Sequence, residues 1–185
     1  EIVCRCLGEK RLYEACNPVV IGSQEAIRQA LQILDLDMEI RTITDPADGV
    51  YNTHTVNLIH CDLGFHFQPG VLCADNGRAA IQYMQRAYEL LSQGKLDAIA
   101  SAPCHKLAGS PYTGATELFA HFAGDLKTST VVRQGRCYIF QLTTHLPLKR
   151  AIEALTPELV SSFLVNSVNT LKAWGIPEPK VALSG

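Results

Sequence analysis

Hydrophobic positions recur at two spacings along the chain, and their alternation predicts an α/β fold. Residues 18–22 form a short apolar run, as in a strand buried on both faces of a parallel sheet. Ser23 follows as a natural N-cap, and residues 24–34 repeat apolar side chains at helical spacing. Residues 39–43 predict a second strand, so this part of the chain reads as a strand–helix–strand unit.

The same two spacings predict helices and strands in the rest of the chain. Helices are predicted over about residues 2–16, 78–93, 115–123 and 157–174, and strands over 55–60, 95–100, 130–133, 137–142 and 181–183. A turn at Gln134-Gly135 joins two of these strands into a pair, and Thr156 caps the helix that starts at Pro157. We expect a mostly parallel sheet with helices on both faces.

Composition excludes several classes of protein. The chain has 185 residues, is 47% hydrophobic and carries a formal net charge of −2. It has no lysine- and arginine-rich block, which argues against nucleic-acid binding, and no apolar run near the roughly 18 residues of a membrane span. No secretory signal is visible. Seven scattered cysteines without a C-x-x-C pair indicate reduced thiols in a cytoplasmic protein.

Both ends of the sequence resemble interrupted elements. Residues 1–3 enter a helical pattern without a cap, and residues 181–185 form a strand that stops at its own turn. A domain rarely ends where a ligand-carrying loop should begin. We therefore expect an internal piece of a longer protein.

His145 is the leading candidate for chemistry. It follows the apolar run 137–142, and we place it at the carboxyl end of a buried strand, where open α/β sheets bind ligands. Neutral imidazole binds transition metals and also serves as an acid or a base. The alternative is a histidine that only hydrogen-bonds to nearby backbone.

Two further segments carry candidate ligand groups. Thr116 lies at the predicted N-terminus of helix 115–123, where free N–H groups favour an anion, although Thr113 or Thr116 could simply cap the helix. Lys106 and Cys104 lie on the loop after strand 95–100. Cys104 could be a reactive thiol, but we favour the interpretation that it is a small buried residue. Three further histidines lie in or near strand 55–60, namely His54, His60 and His66. We favour surface or supporting positions for them over a metal cluster.

Three segments in a fixed order resemble a known family. They are GKLDAI at 94–99 running on to Ala102-Pro103 and Lys106, PYTGATE at 111–117, and TTHLPL at 143–148 followed by LTPE at 155–158. Together they resemble the 4-hydroxythreonine-4-phosphate dehydrogenase family of pyridoxine biosynthesis. The segments NPVVIG at 17–22 and DNG at 75–77 also suit it, so the resemblance covers nearly the whole chain.

The resemblance implies a fold and an activity. Members are homodimeric NAD- or NADP-using dehydrogenases with a three-layer αβα fold like that of isocitrate and isopropylmalate dehydrogenases. Residues 1–185 would be the central part of the two-lobed enzyme, with the lobe boundaries left open. The substrate would be a phosphorylated 3-hydroxy acid that is oxidised by hydride transfer and then loses carbon dioxide. A divalent metal (zinc, magnesium or cobalt) would polarise its oxygens.

The resemblance also carries over to individual residues. His145 matches the first of three metal-binding histidines, Thr116 matches a substrate-binding threonine, and Lys106 falls on a loop of the cleft. Ala115 stands where the family has a substrate-binding histidine, and the loop 106–111 is shorter than the family pattern. The other two metal histidines would follow Gly185, so we expect the isolated chain to be inactive.

Ala115 leaves other functions open, because an alanine neither donates a hydrogen bond nor carries charge. The dehydrogenase could act on another phosphorylated hydroxy acid or on a cyclic dihydrodiol. The chain could belong to a non-catalytic relative that binds an acidic phosphometabolite or regulates another protein. It could also be a structural α/β domain in which His145 is merely packed.

Overall fold

The structure, a computed structural model, describes residues 1–62, 64, 70–71, 73–103, 114–126 and 128–184. Its chain divides into two compact units, Glu1–Leu126 and Lys127–Gly185. None of the described helices is long and apolar enough to cross a membrane. The described cysteines are all free, as the sequence predicts, and Cys104 lies outside the described residues.

The described residues of the first unit form a parallel sheet of three strands in the order β1-β3-β2. The strands are β1 (Val20–Gly22), β2 (Glu39–Thr42) and β3 (Thr55–His60). Central strand β3 is buried from Thr55 to Ile59, as a strand covered on both faces should be. The parallel sheet expected from the sequence is therefore confirmed for this unit.

Helices pack against both faces of this sheet. The first unit contains α1 (Ile2–Leu7), α2 (Lys10–Ala15), α3 (Gln24–Leu34), α4 (Ala74–Ser92) and α5 (Ala115–Phe122). One buried cluster joins α1 and α3 to Val56, and a second joins Leu90 of α4 to Ile43 and Ile59. Val56 and Ile59 are an odd number of residues apart on β3, so their side chains lie on opposite faces.

Three predicted elements differ in the structure. The helix expected over 2–16 is interrupted at Gly8 and Glu9, whose amides bond to the carbonyls of Arg5 and Cys6 and close the last turn of α1. The strands predicted over 95–100 and 181–183 do not form within the described residues. A strand forms only when a neighbouring strand exchanges backbone hydrogen bonds with it, and neither segment pairs with a described strand.

A buried asparagine holds the loop between β2 and β3. Asn57 is 1% exposed in the middle of β3. Its Oδ1 accepts from the Val50 amide at 2.9 Å, and its Nδ2 donates to the Val50 carbonyl at 2.9 Å. Tyr51 donates its hydroxyl to the Pro46 carbonyl at 2.5 Å in the same loop. Because the buried amide uses both of its polar atoms, it fixes the path of the loop across the sheet.

The start of this loop carries a carboxylate that we expect to stabilise the fold in a pH-dependent way. Asp45 bonds through Oδ2 to the Lys95 ammonium at 2.6 Å and through Oδ1 to the Ala47 amide at 3.0 Å. The Lys95 hydrogen bond and the Ala47 amide lower the pKa of the Asp45 carboxyl. A folded pKa below the unfolded value stabilises the fold at pH values above the unfolded pKa.

We therefore expect the stability difference between the native protein and Asp45→Asn to be constant from pH 7 to about pH 5 and to shrink below about pH 4. Urea unfolding at a series of pH values measures both proteins. Asn retains an acceptor for the Ala47 amide, so the substitution removes the charge and the acceptor for Lys95 but leaves the turn bond in place. A difference that grows towards low pH would contradict this assignment.

The second unit consists of a hairpin and two helices. Strands β4 (Thr130–Gln134) and β5 (Cys137–Gln141) pair antiparallel, followed by α6 (Leu148–Ala154) and α7 (Pro157–Ala173). Thr156 accepts from the Leu159 amide at 3.1 Å, which confirms the predicted cap. Trp174, after α7, packs against β5, with its ring centroid 5.9 Å from that of Tyr138 and 6.4 Å from that of Phe140.

Candidate functional site

His145 lies on the connection between β5 and α6, four residues beyond the end of the strand at Gln141. Its side chain is exposed. The prediction that it follows a buried strand was wrong, because β5 alternates between half-buried and exposed residues in an antiparallel hairpin. An antiparallel pair needs only one covered face, whereas a strand inside a parallel sheet needs two.

The backbone of His145 is in the left-handed region, with a φ of 57°. Among the described residues, the other non-glycine residues with positive φ are Asp35, which ends α3, and Asp125, which follows α5. Helices commonly end at a left-handed residue, which accounts for Asp35 and Asp125. His145 does not end a helix, so this explanation does not apply to it. The conformation costs a residue with a Cβ atom about 1 kcal/mol, and such strain concentrates at functional sites.

The described residues do not form a complete metal site. No group of three histidine, cysteine, aspartate or glutamate side chains within them could hold a metal ion. His145 presents one accessible imidazole, and the affinity of a protein for a metal depends on the number and geometry of its ligands. Any remaining ligands would have to come from outside the described residues.

The first turn of α5 contains the candidate substrate groups. Ala115 and Thr116 occupy its first two positions, and the exposed Thr116 hydroxyl bonds to no other described residue. Gly114 precedes them as an N-cap without a side-chain acceptor, so Thr116 does not cap the helix. Glu117 Oε2 lies 3.3 Å from the position that a Cβ atom at Gly114 would take. A carboxylate is thus already present at the positive end of α5.

The remaining candidates divide into two groups. Lys106, Thr113 and His66 lie outside the described residues, so their predicted roles stay predictions. His60 Nδ1 accepts from the Gln24 amide at 3.2 Å and ties β3 to the start of α3, while His54 is exposed. No group of metal-binding side chains among the described residues includes His54 or His60.

The structure adds polar groups that sequence patterns did not single out. Asn57 and the Asp45–Lys95 pair organise the loop after β2. The signal for Asn57 was present, because a polar residue interrupts an otherwise apolar central strand. Thr116 and His145 belong to different units, so their proximity stays a prediction.

Two curated proteins that resemble this chain carry the same name. The chain is 33% identical over its whole length to "Putative D-threonate 4-phosphate dehydrogenase" of Halalkalibacterium halodurans and 29% identical to the protein of the same name from Clostridium botulinum. It spans 57% of the length of each of these relatives.

Two solved structures share the fold. They are the 4-hydroxythreonine-4-phosphate dehydrogenases of Burkholderia phymatum, with a TM-score of 0.83 at 34% identity, and of Klebsiella pneumoniae, with a TM-score of 0.89 at 29% identity. Each superposition covers 97% of this chain and 56% of the other. The sequence profile of the pyridoxal phosphate biosynthetic protein PdxA matches residues 14–185. The resemblance inferred from the motifs is confirmed, and the chain belongs to the PdxA family.

Proposed function

We propose that this chain is part of a metal-dependent, NAD- or NADP-linked dehydrogenase that oxidises the 3-hydroxyl of a phosphorylated four-carbon acid, with loss of carbon dioxide afterwards. The observation that carries the proposal is the match over 97% of the chain to a 4-hydroxythreonine-4-phosphate dehydrogenase at 34% identity. The whole enzyme would be a cytoplasmic homodimer with the three-layer arrangement of the isocitrate and isopropylmalate dehydrogenases.

The names of the relatives favour a defined class of substrate. D-Threonate 4-phosphate and 4-hydroxythreonine 4-phosphate share a carboxylate, a 3-hydroxyl and a 4-phosphate, and they differ in carrying a hydroxyl or an amine on the second carbon. Several curated relatives carry the threonate name. On the ground of this shared name we propose that the hydroxy acid is the preferred substrate; a solved structure with the hydroxythreonine name matches equally well, at 34% identity.

His145 and Thr116 take separate roles in this proposal. The exposed His145 imidazole would be one ligand of a divalent metal, which stabilises negative charge that develops on the substrate oxygen. The exposed Thr116 hydroxyl would donate to the acid or its phosphate, and Lys106 would lie on the loop beside the cleft. The nicotinamide cofactor accepts the hydride when bound.

Ala115 favours two alternatives that can be tested. An apolar first residue on α5 removes a hydrogen-bonding and charged group from the place where the family has a histidine. A relative that binds the phosphorylated acid without oxidising it would have this feature. A dehydrogenase with a shifted substrate, such as a dihydrodiol, would have it as well.

One assay separates oxidation of the phosphorylated acids from binding without chemistry. The full-length protein is mixed with NAD or NADP, a divalent metal and each of the two phosphorylated acids, and reduced cofactor is followed by its absorbance. We expect turnover with D-threonate 4-phosphate to exceed turnover with 4-hydroxythreonine 4-phosphate, and we expect chelation of the metal to abolish both. Binding of either acid without cofactor reduction would support the non-catalytic alternative, and the isolated 185-residue chain should show no turnover.

A further inference from the structure

The second unit carries an excess of positive charge. Residues 127–185 contain seven lysines and arginines but only three acidic residues, so their formal charge is +4. Residues 1–126 contain nine basic and fifteen acidic residues, so their formal charge is −6. A basic surface attracts anionic molecules, and the second unit is therefore the part of the chain that suits an anionic ligand.

Two of these cations follow His145 closely. Lys149 and Arg150 are the second and third residues of α6, four and five residues after His145. Both are exposed; Lys149 forms no hydrogen bond or ion pair with a described residue, and Arg150 pairs with Glu153 at 3.5 Å. Four residues span at most about 14 Å, so the Lys149 ammonium can reach a molecule that is bound at the imidazole.

The stability of α6 does not explain these two charges. The first turn of a helix favours acidic residues and disfavours cations. Each described helix of eight or more residues has an acid there, namely Glu25, Asp75, Glu117 or Glu158. Helix α6 has neither an acid nor a side-chain cap, and α2, which also begins with two cations, has Glu9 as its N-cap. A local preference that is broken without a compensating contact is typical of a functional site.

We propose that Lys149 binds an anionic group of the substrate and that Arg150 adds to the attraction. This inference rests on the proposed function, because the phosphorylated acid of that function carries a carboxylate and a phosphate. A lysine ammonium is a compact charge on a flexible stem, and it donates charge-assisted hydrogen bonds to the oxygens of either group. Lys149 would therefore contribute to substrate binding and not to the transfer of the hydride.

Steady-state kinetics of the full-length protein at saturating metal test this role. Lys149→Glu reverses the charge and should raise the KM for D-threonate 4-phosphate at least about tenfold, with kcat changed by less than about twofold. This rise should shrink between about 0.05 M and about 0.5 M salt, because salt screens exposed charges. Lys149→Arg keeps the charge and should retain a KM close to the native value.

Lys180→Glu is the matched control. Lys180 is also an exposed lysine of the second unit, and it has no partner among the residues that the structure describes. The change in net charge is the same as in Lys149→Glu, but Lys180 lies in the segment after α7 and not beside His145. This control should keep the native KM.

Isothermal titration calorimetry separates this inference from the proposed activity, because it measures binding without turnover. Lys149→Glu should bind D-threonate 4-phosphate at least about tenfold more weakly than the native protein, whether or not the cofactor is reduced. Inorganic phosphate and unphosphorylated D-threonate serve as two further probes. The probe whose binding is weakened by Lys149→Glu carries the group that Lys149 contacts.

Three results would overturn the inference. Lys149→Glu could bind D-threonate 4-phosphate as tightly as the native protein, Lys180→Glu could weaken the binding by the same factor, or the native protein could bind no phosphorylated acid. A native protein that binds the acid more tightly than Lys149→Glu but reduces no cofactor would support the role of Lys149 and contradict the proposed oxidation.

Discussion

We expect His145→Ala in the full-length protein to lower the metal-dependent rate of cofactor reduction by about a thousandfold. A metal ion that polarises substrate oxygens contributes several kcal/mol to transition-state stabilisation, and each 1.4 kcal/mol corresponds to about tenfold in rate. Removal of one imidazole ligand should also weaken binding of the divalent metal, which equilibrium dialysis measures directly. The steady-state rate at a saturating metal concentration distinguishes lost affinity from lost catalysis.

His54→Ala is the control for this experiment, because His54 is also an exposed histidine but belongs to no cluster of metal-binding residues in the described part. It should retain native metal dependence. A native rate in His145→Ala would remove His145 from the site and would favour the interpretation that this exposed histidine has no part in the chemistry.

The backbone of His145 gives a second readout that separates strain from ligation. His145→Ala and His145→Gly both remove the imidazole, but only glycine adopts a φ of 57° without steric cost. We expect the glycine variant to be more stable than the alanine variant by about 1 kcal/mol in urea unfolding. Equal stabilities would show that the left-handed conformation is not strained.

Elements with strong local signals could be predicted from the sequence. Helix α3 has the predicted bounds because Ser23 caps it and its apolar residues repeat at helical spacing. Strand β3 has its predicted bounds because Thr55, Val56 and Ile59 are β-branched, and such residues favour a strand. Thr156 and Pro157 likewise define the start of α7.

Features that depend on distant partners could not be predicted. Residues 95–100 have the composition of a strand, but a strand needs a neighbour, and only Leu96 packs against the cluster that contains Leu90. No residue pattern revealed that His145 would be left-handed, since the conformation depends on how the chain leaves β5 and enters α6. The family motifs identified His145 as a candidate, whereas only the structure showed its left-handed backbone.

We expect Asn57→Ala to destabilise the first unit by about 3 kcal/mol. The substitution removes two hydrogen bonds to Val50 and leaves space inside a strand that is buried on both faces. Native-state hydrogen exchange of the full-length protein measures the effect at the Val50 amide, which loses its acceptor. Protection of β3 amides in the same experiment reports on the sheet itself.

Asn52→Ala is the matched control in the same loop. Asn52 accepts a bond from the His54 amide at 2.8 Å, but that bond is exposed, so water can replace it and the cost should stay below about 1 kcal/mol. Asn57→Asp keeps the acceptor for the Val50 amide but places an oxygen against the Val50 carbonyl and buries a charge, so it should be at least as damaging as alanine. If Asn57→Ala cost no more than Asn52→Ala, the loop would be held by its other contacts, chiefly the Tyr51 hydroxyl on Pro46 and the Asp45–Lys95 pair.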